Sequence, residues 1–173
     1  MTYRQFPRFD ENTAPAAARE ALSQNKRLFG AIPEPVARYA SSPQFLNQAL
    51  AGLHGFEATT LAPLEREVLA MTMGHLNGCK FCLNLHGRLL RVQKAPSELI
   101  GALSNGTALT DSRLESLRRF IVAAVERHGD VDANTWTNFR EAGYTHEQAL
   151  EVVYGIGVYT MTTLANRLTE TSE

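Results

Sequence analysis

An all-α fold is predicted for this chain, and three observations carry the prediction. Apolar residues recur at spacings of three and four through most of the length. Pro, Ser, Thr or Asp precedes these stretches, and Gly or Asn-Gly follows them. Sustained alternation flanked by hairpin turn signals is missing throughout. At 173 residues, against a guide of about 150 per domain, the chain reads as one domain over residues 1–173. Residues 1–41 form its N-terminal arm.

The elements follow in order. Thr13 precedes an alanine-rich helix from Pro15 to Gln24, and the segment from Asn25 to Pro35, with Gly30, Pro33 and Pro35, reads as the loop that ends it. Ser42-Pro43 supplies an N-cap and a first-turn proline for a helix to Gly55, with Phe45, Leu46, Ala49, Leu50 and Leu53 at helical spacing. Pro63 opens a helix to Leu76 that Asn77-Gly78 stops, and another runs from Cys79 to about Gln93. So short a connection makes the two an antiparallel hairpin. Pro96 to Leu103 is a short helix. Ser112 with Glu115 reads as a capping box for a helix to His128, closed by Gly129, and Asp132 opens one that Gly143 closes. Thr145 with Gln148 caps the last helix, with an apolar stripe of Leu150, Val153, Ile156 or Gly157, Thr160, Met161 and Leu164. Gly155 and Gly157 each cost about 1 kcal/mol there relative to alanine, so close helix contact or a backbone distortion is expected to require them.

A hydrophobic fraction of 44% and a charged fraction of 20% belong to a globular chain rather than a disordered or collagen-like one. Lys plus Arg number 17 and Asp plus Glu 18, for a formal net charge of -1, which provides no bulk field for nucleic acid or an anionic membrane. Neither is expected as a partner. The stretch from Met1 to Asp10 has no apolar core of signal-peptide length, and apolar runs such as Val152 to Tyr159 fall short of the roughly 20 residues that span a bilayer. A soluble, cytoplasmic protein is expected. In a reducing compartment two cysteines suit catalysis or metal binding better than a disulfide framework.

The run from Glu67 to His86 carries the candidate chemistry. Cys79, Cys82 and His86 stand at i, i+3 and i+7, about 300° and then about 400° round a helix, so they share a face. Cys79 lies in the first turn, where unpaired N–H groups and the helix dipole favour a thiolate, and its spacing permits a disulfide to Cys82. With the hairpin pivot between Asn77 and Gly78, Glu67 lies about ten residues down one arm and His86 about eight down the other, roughly 3 Å apart in height. A carboxylate on one imidazole nitrogen fixes the tautomer, and the other nitrogen faces Cys82 one turn away as a base. Two chemistries stay open at this point. One is thiol redox work, which needs no bound cofactor or metal; the other is a zinc site of Cys79, Cys82, His86 and His75. Structural C-x-x-C pairs usually occupy tight turns, and zinc needs a second ligand pair with its own spacing, so redox work is favoured.

Glu67, the Asn77-Gly78-Cys79-x-x-Cys82 run and His86 resemble the signature of the alkylhydroperoxidase D-like branch of the carboxymuconolactone decarboxylase superfamily. The segment from Gly30 through Pro43 to His86 is similar to its peroxidase-related subgroup, and Tyr144 to Arg167 to its closing helix. The resemblance implies a helical bundle with a hairpin carrying the C-x-x-C motif, assembly into a homo-oligomer, and reduction of hydroperoxides through a sulfenic acid. It further implies that Cys82 is the peroxidatic residue and Cys79 the resolving partner and proton donor. Glu67 and His86 would be the relay, and an external dithiol the reductant. One departure stands out. The best-known branch has a histidine immediately before the second cysteine, whereas this chain has Phe81, which cannot pass a proton; His75 is the candidate substitute.

Two rivals remain. A decarboxylase or lactone-processing enzyme of the same superfamily would use a histidine and need no cysteine pair; a zinc-stabilised interaction module would be no enzyme at all. Elsewhere the residues read as structural: His54, His128 and His146 near helix ends, Glu65 and Arg66 in solvent, Trp136 with Phe139 as an anchor, and Met71 with Met73 as core filler.

Overall fold

The computed structural model describes residues 6–171. Among these, nine α-helices follow one another: α1 (Ala16–Phe29), α2 (Glu34–Tyr39), α3 (Pro43–Glu57), α4 (Pro63–Leu76), α5 (Lys80–Val92), α6 (Ser97–Asn105), α7 (Ser112–Glu126), α8 (Ala133–Glu141) and α9 (His146–Leu168). The described residues contain no strand, so the all-α expectation holds. The part of the N-terminal reading that falls on residues 1–5 lies outside the described residues.

Helix α4 is the axis of the bundle. Its residues from Glu67 to Gly74 are all buried, because α5, α6, α7 and α9 all pack against it. A helix buried on every side over that stretch needs such cover, and its buried carboxylates need partners. Around it lies the larger core, in which Phe56, Leu69, Met71, Met73 and Leu117 are fully enclosed. The Phe139 ring stacks on Phe120 at 4.1 Å and on Tyr144 at 4.6 Å, joining α8 to α7. A second cluster of Leu22, Val36, Tyr39 and Leu46 fastens the arm to α3, and α3 in turn lies along α9.

The structure corrects the sequence reading in several places. Helix α1 continues past Gln24 to Phe29 and stops at Gly30, whose φ is 76°. Residues 25–29 contain no helix breaker, and Lys26 and Arg27 complement the dipole of the last turn. Pro33 and Pro35 start a helix instead of ending one: Pro33 is the N-cap of α2 and Pro35 sits in its first turn, where a missing N–H costs nothing. The cap of α7 is Asp111, which accepts from the Leu114 N–H at 2.9 Å, while Glu115 accepts from the Leu109 N–H at 2.9 Å. Glu65 is buried, accepting from the Ala62 N–H at 2.8 Å and pairing with Arg113 of α7 at 2.9 Å.

Helix α9 turns out to be rotated relative to the predicted stripe. Leu150, Val153 and Leu164 are 73%, 54% and 51% exposed, and the buried line is Ala149, Val152, Gly155, Val158, Tyr159, Thr162, Thr163 and Asn166. Small residues win the inner face because the helix lies close to its neighbours. A Cβ on Gly155 would come within 2.5 Å of a Phe56 ring carbon and 2.8 Å of Leu69, whereas one on Gly157 would meet nothing within 4 Å. Only Gly155 is explained by packing inside the chain.

Candidate active site

The turn between α4 and α5 brings the cysteines into the core. Gly78 has a φ of 62°, the left-handed conformation that glycine adopts without penalty. The Gly78 N–H donates to the His75 carbonyl at 3.0 Å and the Cys79 N–H to the Gly74 carbonyl at 2.8 Å, the pair of bonds that closes a Schellman motif. Helix α9 holds the turn from outside: Asn77 donates to the Thr163 hydroxyl at 2.8 Å and Arg167 to the Asn77 carbonyl at 2.8 Å. Cys79 is the N-cap of α5, its sulfur accepting from the Cys82 N–H at 3.3 Å.

Cys79 and Cys82 are joined as a disulfide, with 5.3 Å between their Cα atoms, and both are buried. One turn further along α5, the His86 Nδ1 meets the Glu67 Oε2 of α4 at 2.9 Å; the side chains are 12% and 10% exposed. The edge of Tyr159 from α9 packs on the His86 ring, with centroids 5.4 Å apart. Burial pushes the Tyr159 hydroxyl well above its ordinary range, and the negative charge of Glu67 adds to the shift. This phenol is therefore neutral at physiological pH. A cysteine pair, an imidazole and a carboxylate thus lie along one hairpin, the kinds of group that thiol enzymes use.

From the surface a shallow depression of about 210 Å³ reaches Cys79, lined also by Lys80, Phe81, Asn166 and Arg167 among others. Of the two cysteines, Cys79 is the one that lines it.

Several solved structures share this architecture. An uncharacterized peroxidase-related protein from Ralstonia eutropha JMP134, with an alkylhydroperoxidase AhpD core, superposes with a TM-score of 0.85 at 17% identity, over 97% of this chain and 90% of that one. A peroxidase-related protein from Silicibacter sp. TM1040 gives 0.80 at 20% identity, over 96% and 88%. A third, from Agrobacterium tumefaciens, named for antioxidant defence, gives 0.64 at 15% identity, over 76% and 90%. At such identities the likeness is one of fold. No curated protein sequence matches the chain significantly. Residues 42–122 match the model of the Carboxymuconolactone decarboxylase family.

The family match covers just under half of the chain, and the fold around it is that of the AhpD-like structures.

Within this scaffold, the structure brings together four of the five residues singled out from the sequence. Cys79, Cys82, His86 and Glu67 converge; His75 does not join them. Its ring is exposed on the far side of α4, with Nδ1 at 3.0 Å from the Ser104 carbonyl of α6. Among the described residues no three of His, Cys, Asp and Glu are grouped as a metal site, and His75 is too far turned away to complete the zinc set that the spacing had left open.

Sequence reasoning missed three residues of this site. Tyr159 covers His86, Asn166 donates its amide to the Cys82 sulfur at 3.4 Å, and Tyr39 of the arm donates to Asn166 at 2.6 Å. A signal for two of them was present: Tyr159, Thr162, Thr163 and Asn166 recur at three and four residues, continuing the small-residue line Val152 and Gly155. Polar residues on a buried line are the mark of a site.

Proposed function

We propose that this protein is a thiol peroxidase that reduces organic hydroperoxides through the Cys79–Cys82 pair. The observation that carries the reading is the buried Glu67–His86 contact of 2.9 Å on the helix that holds Cys82. A redox-inert structural disulfide has no need of a carboxylate-oriented imidazole one turn away. The AhpD core of the Ralstonia protein and the antioxidant-defence name of the Agrobacterium one support it.

In the reduced pair His86, oriented by Glu67, accepts the Cys82 proton. The thiolate attacks the distal peroxide oxygen, the O–O bond breaks, and the departing alkoxide takes a proton to leave as alcohol. Cys79 then attacks the Cys82 sulfenic acid, forming the disulfide and releasing water. An external dithiol reduces the disulfide through a mixed-disulfide intermediate and is itself oxidised to a disulfide, so one peroxide consumes one dithiol. With His75 turned toward Ser104, protons travel through His86 and Cys79 alone, and no bound cofactor takes part. Such a cycle suits the cytoplasm, where dithiol reductants are maintained.

The exposed apolar face of α9, with Leu150, Val153 and Leu164, is assigned to contact with a second copy of the chain, making a homo-oligomer. No helix among the described residues is long and apolar enough to cross a membrane.

The test is thiol titration with intact mass before and after one equivalent of cumene hydroperoxide. The expected result is loss of both thiols, a mass lower by about two hydrogens, and one equivalent of alcohol. Two thiols that survive the peroxide would refute the proposal, and turnover of a lactone with both thiols intact would point to the decarboxylase chemistry instead.

A further inference from the structure

The mechanism above gives Cys82 a base but leaves its negative charge, once formed, without a named partner in the buried site. The base is on one side of α5; α9 and the arm cover another. From α9, Asn166, itself 7% exposed, directs its Nδ2 at the Cys82 sulfur at 3.4 Å, within hydrogen-bond range for sulfur. Its other amide atom, Oδ1, accepts from the Tyr39 hydroxyl at 2.6 Å. That hydroxyl also lies 3.0 Å from the Thr162 carbonyl, which stands four residues before Asn166 and already takes the helix's own N–H. The shorter contact receives the single proton. Burial pushes the Tyr39 hydroxyl far above its ordinary ionisation range, so it stays a donor.

We propose that Asn166, its amide held in one orientation by Tyr39, is the hydrogen-bond donor that stabilises the Cys82 thiolate. An amide can present either its NH2 or its oxygen to a neighbour, and only the first suits an anion. Tyr39 decides between them: by donating to Oδ1 it leaves Nδ2 facing the sulfur. In the disulfide this is a weak bond to a neutral acceptor. Reduction turns the acceptor into an anion, and hydrogen bonds to charged groups are the strong ones. The same donor also makes Cys82 the better leaving group when an external thiolate attacks Cys79 from the depression that Cys79 lines. That attack forms a bond from the reductant to the Cys79 sulfur and breaks the Cys79–Cys82 bond; Cys82 departs as the thiolate that Asn166 receives. Tyr39 is a positioning residue here, and it ties the N-terminal arm to the chemistry.

The inference rests on the peroxidase reading for its purpose but not for its test, which uses no peroxide. The protein carries two cysteines, so Cys79→Ser leaves Cys82 as the single thiol. Its alkylation by iodoacetamide is followed by mass across pH. The charged and titratable groups around Cys82 are His86 on α5 with Glu67 on α4, Tyr159 on α9 and Tyr39 on α2, with Lys80 and Arg167 at the depression. All except Tyr39 are left intact in the variants. Asn166→Leu removes the donor at similar volume, and Tyr39 still has the Thr162 carbonyl to bond. A hydrogen bond to an anion is worth enough to shift an ionisation midpoint by about one pH unit, so the thiolate fraction at neutral pH falls about tenfold. Tyr39→Phe moves the midpoint the same way by less. An unchanged midpoint in a helical, folded Asn166→Leu protein overturns the proposal. If that variant does not fold, Tyr39→Phe decides alone, and an unchanged midpoint there overturns it equally. Wild-type protein that ignores peroxide would remove the peroxidase reading while leaving the alkylation result to stand on its own.

Discussion

Replacing Glu67 by glutamine tests how much of the reactivity of Cys82 comes from the charge behind His86. The substitution keeps a carbonyl oxygen where Oε2 now sits, 2.9 Å from Nδ1, and removes only the negative charge. With both side chains about nine-tenths buried, water screens the pair poorly. A hydrogen bond to a charged group contributes about 1.5 to 3 kcal/mol and a neutral one about 1. The difference of about 0.5 to 2 kcal/mol corresponds to a rate loss of roughly 2- to 30-fold, at about 1.4 kcal/mol per factor of ten. His86→Ala removes the base itself, for which about 100- to 10,000-fold is the usual range. The expected order is therefore wild type, then Glu67→Gln, then His86→Ala well below. The assay is the single-turnover rate of Cys82 with cumene hydroperoxide in the Cys79→Ser background, over a range of pH, with circular dichroism to show that each fold is intact. A Glu67→Gln rate equal to wild type, or below that of His86→Ala, would refute the relay.

Three further outcomes are expected. Gly155→Ala, despite the helix preference for alanine, lowers stability in urea denaturation, because overpacking against Phe56 and Leu69 costs about 1 to 3 kcal/mol or more and outweighs a gain of about 1; an increase in stability would mean that the helices are not in this contact. Leu150→Glu with Leu164→Glu reduces the sedimenting species to the 19.1 kDa monomer, whereas the wild type at micromolar concentration runs larger; a wild-type monomer would remove the assignment of the α9 face. Tyr39, Tyr144 and Tyr159 are all shifted upward from an ordinary value of 10.0, with burial the largest cause. The folded state therefore holds these protons more tightly than the unfolded one, and its stability is complete below about pH 10 and falls above it. Absorbance at alkaline pH should show three of the five tyrosines ionising only as the chain unfolds; early ionisation of all five would contradict their burial.

The hairpin and its cysteine pair were legible in the sequence because their causes are local. The Asn77-Gly78 stop, the spacing of Cys79, Cys82 and His86, and the height of Glu67 all follow from helix geometry over some twenty residues, and the structure returns the Glu67–His86 contact that this geometry requires. Local chemistry also misled where two readings were equally local. Pro33 and Pro35 can end a helix or begin one, and only the burial of Val36 and Tyr39 against α3 settles that they begin α2.

The sequence by itself determined the helical class, the position of the hairpin and the set of four side chains on it. Tertiary structure alone decided which side of α9 faces inward, since that helix is apolar on two sides and the choice depends on the fit of Gly155 against Phe56 and Leu69. That rotation carries Tyr159 over His86 and Asn166 onto the Cys82 sulfur, and it leaves Leu150, Val153 and Leu164 outside. It likewise decided that His75 turns to Ser104 and that Tyr39, 127 residues before its partner Asn166, closes the site. Contacts across such separations depend on how helices pack, and packing is a property of the whole core rather than of any window of sequence.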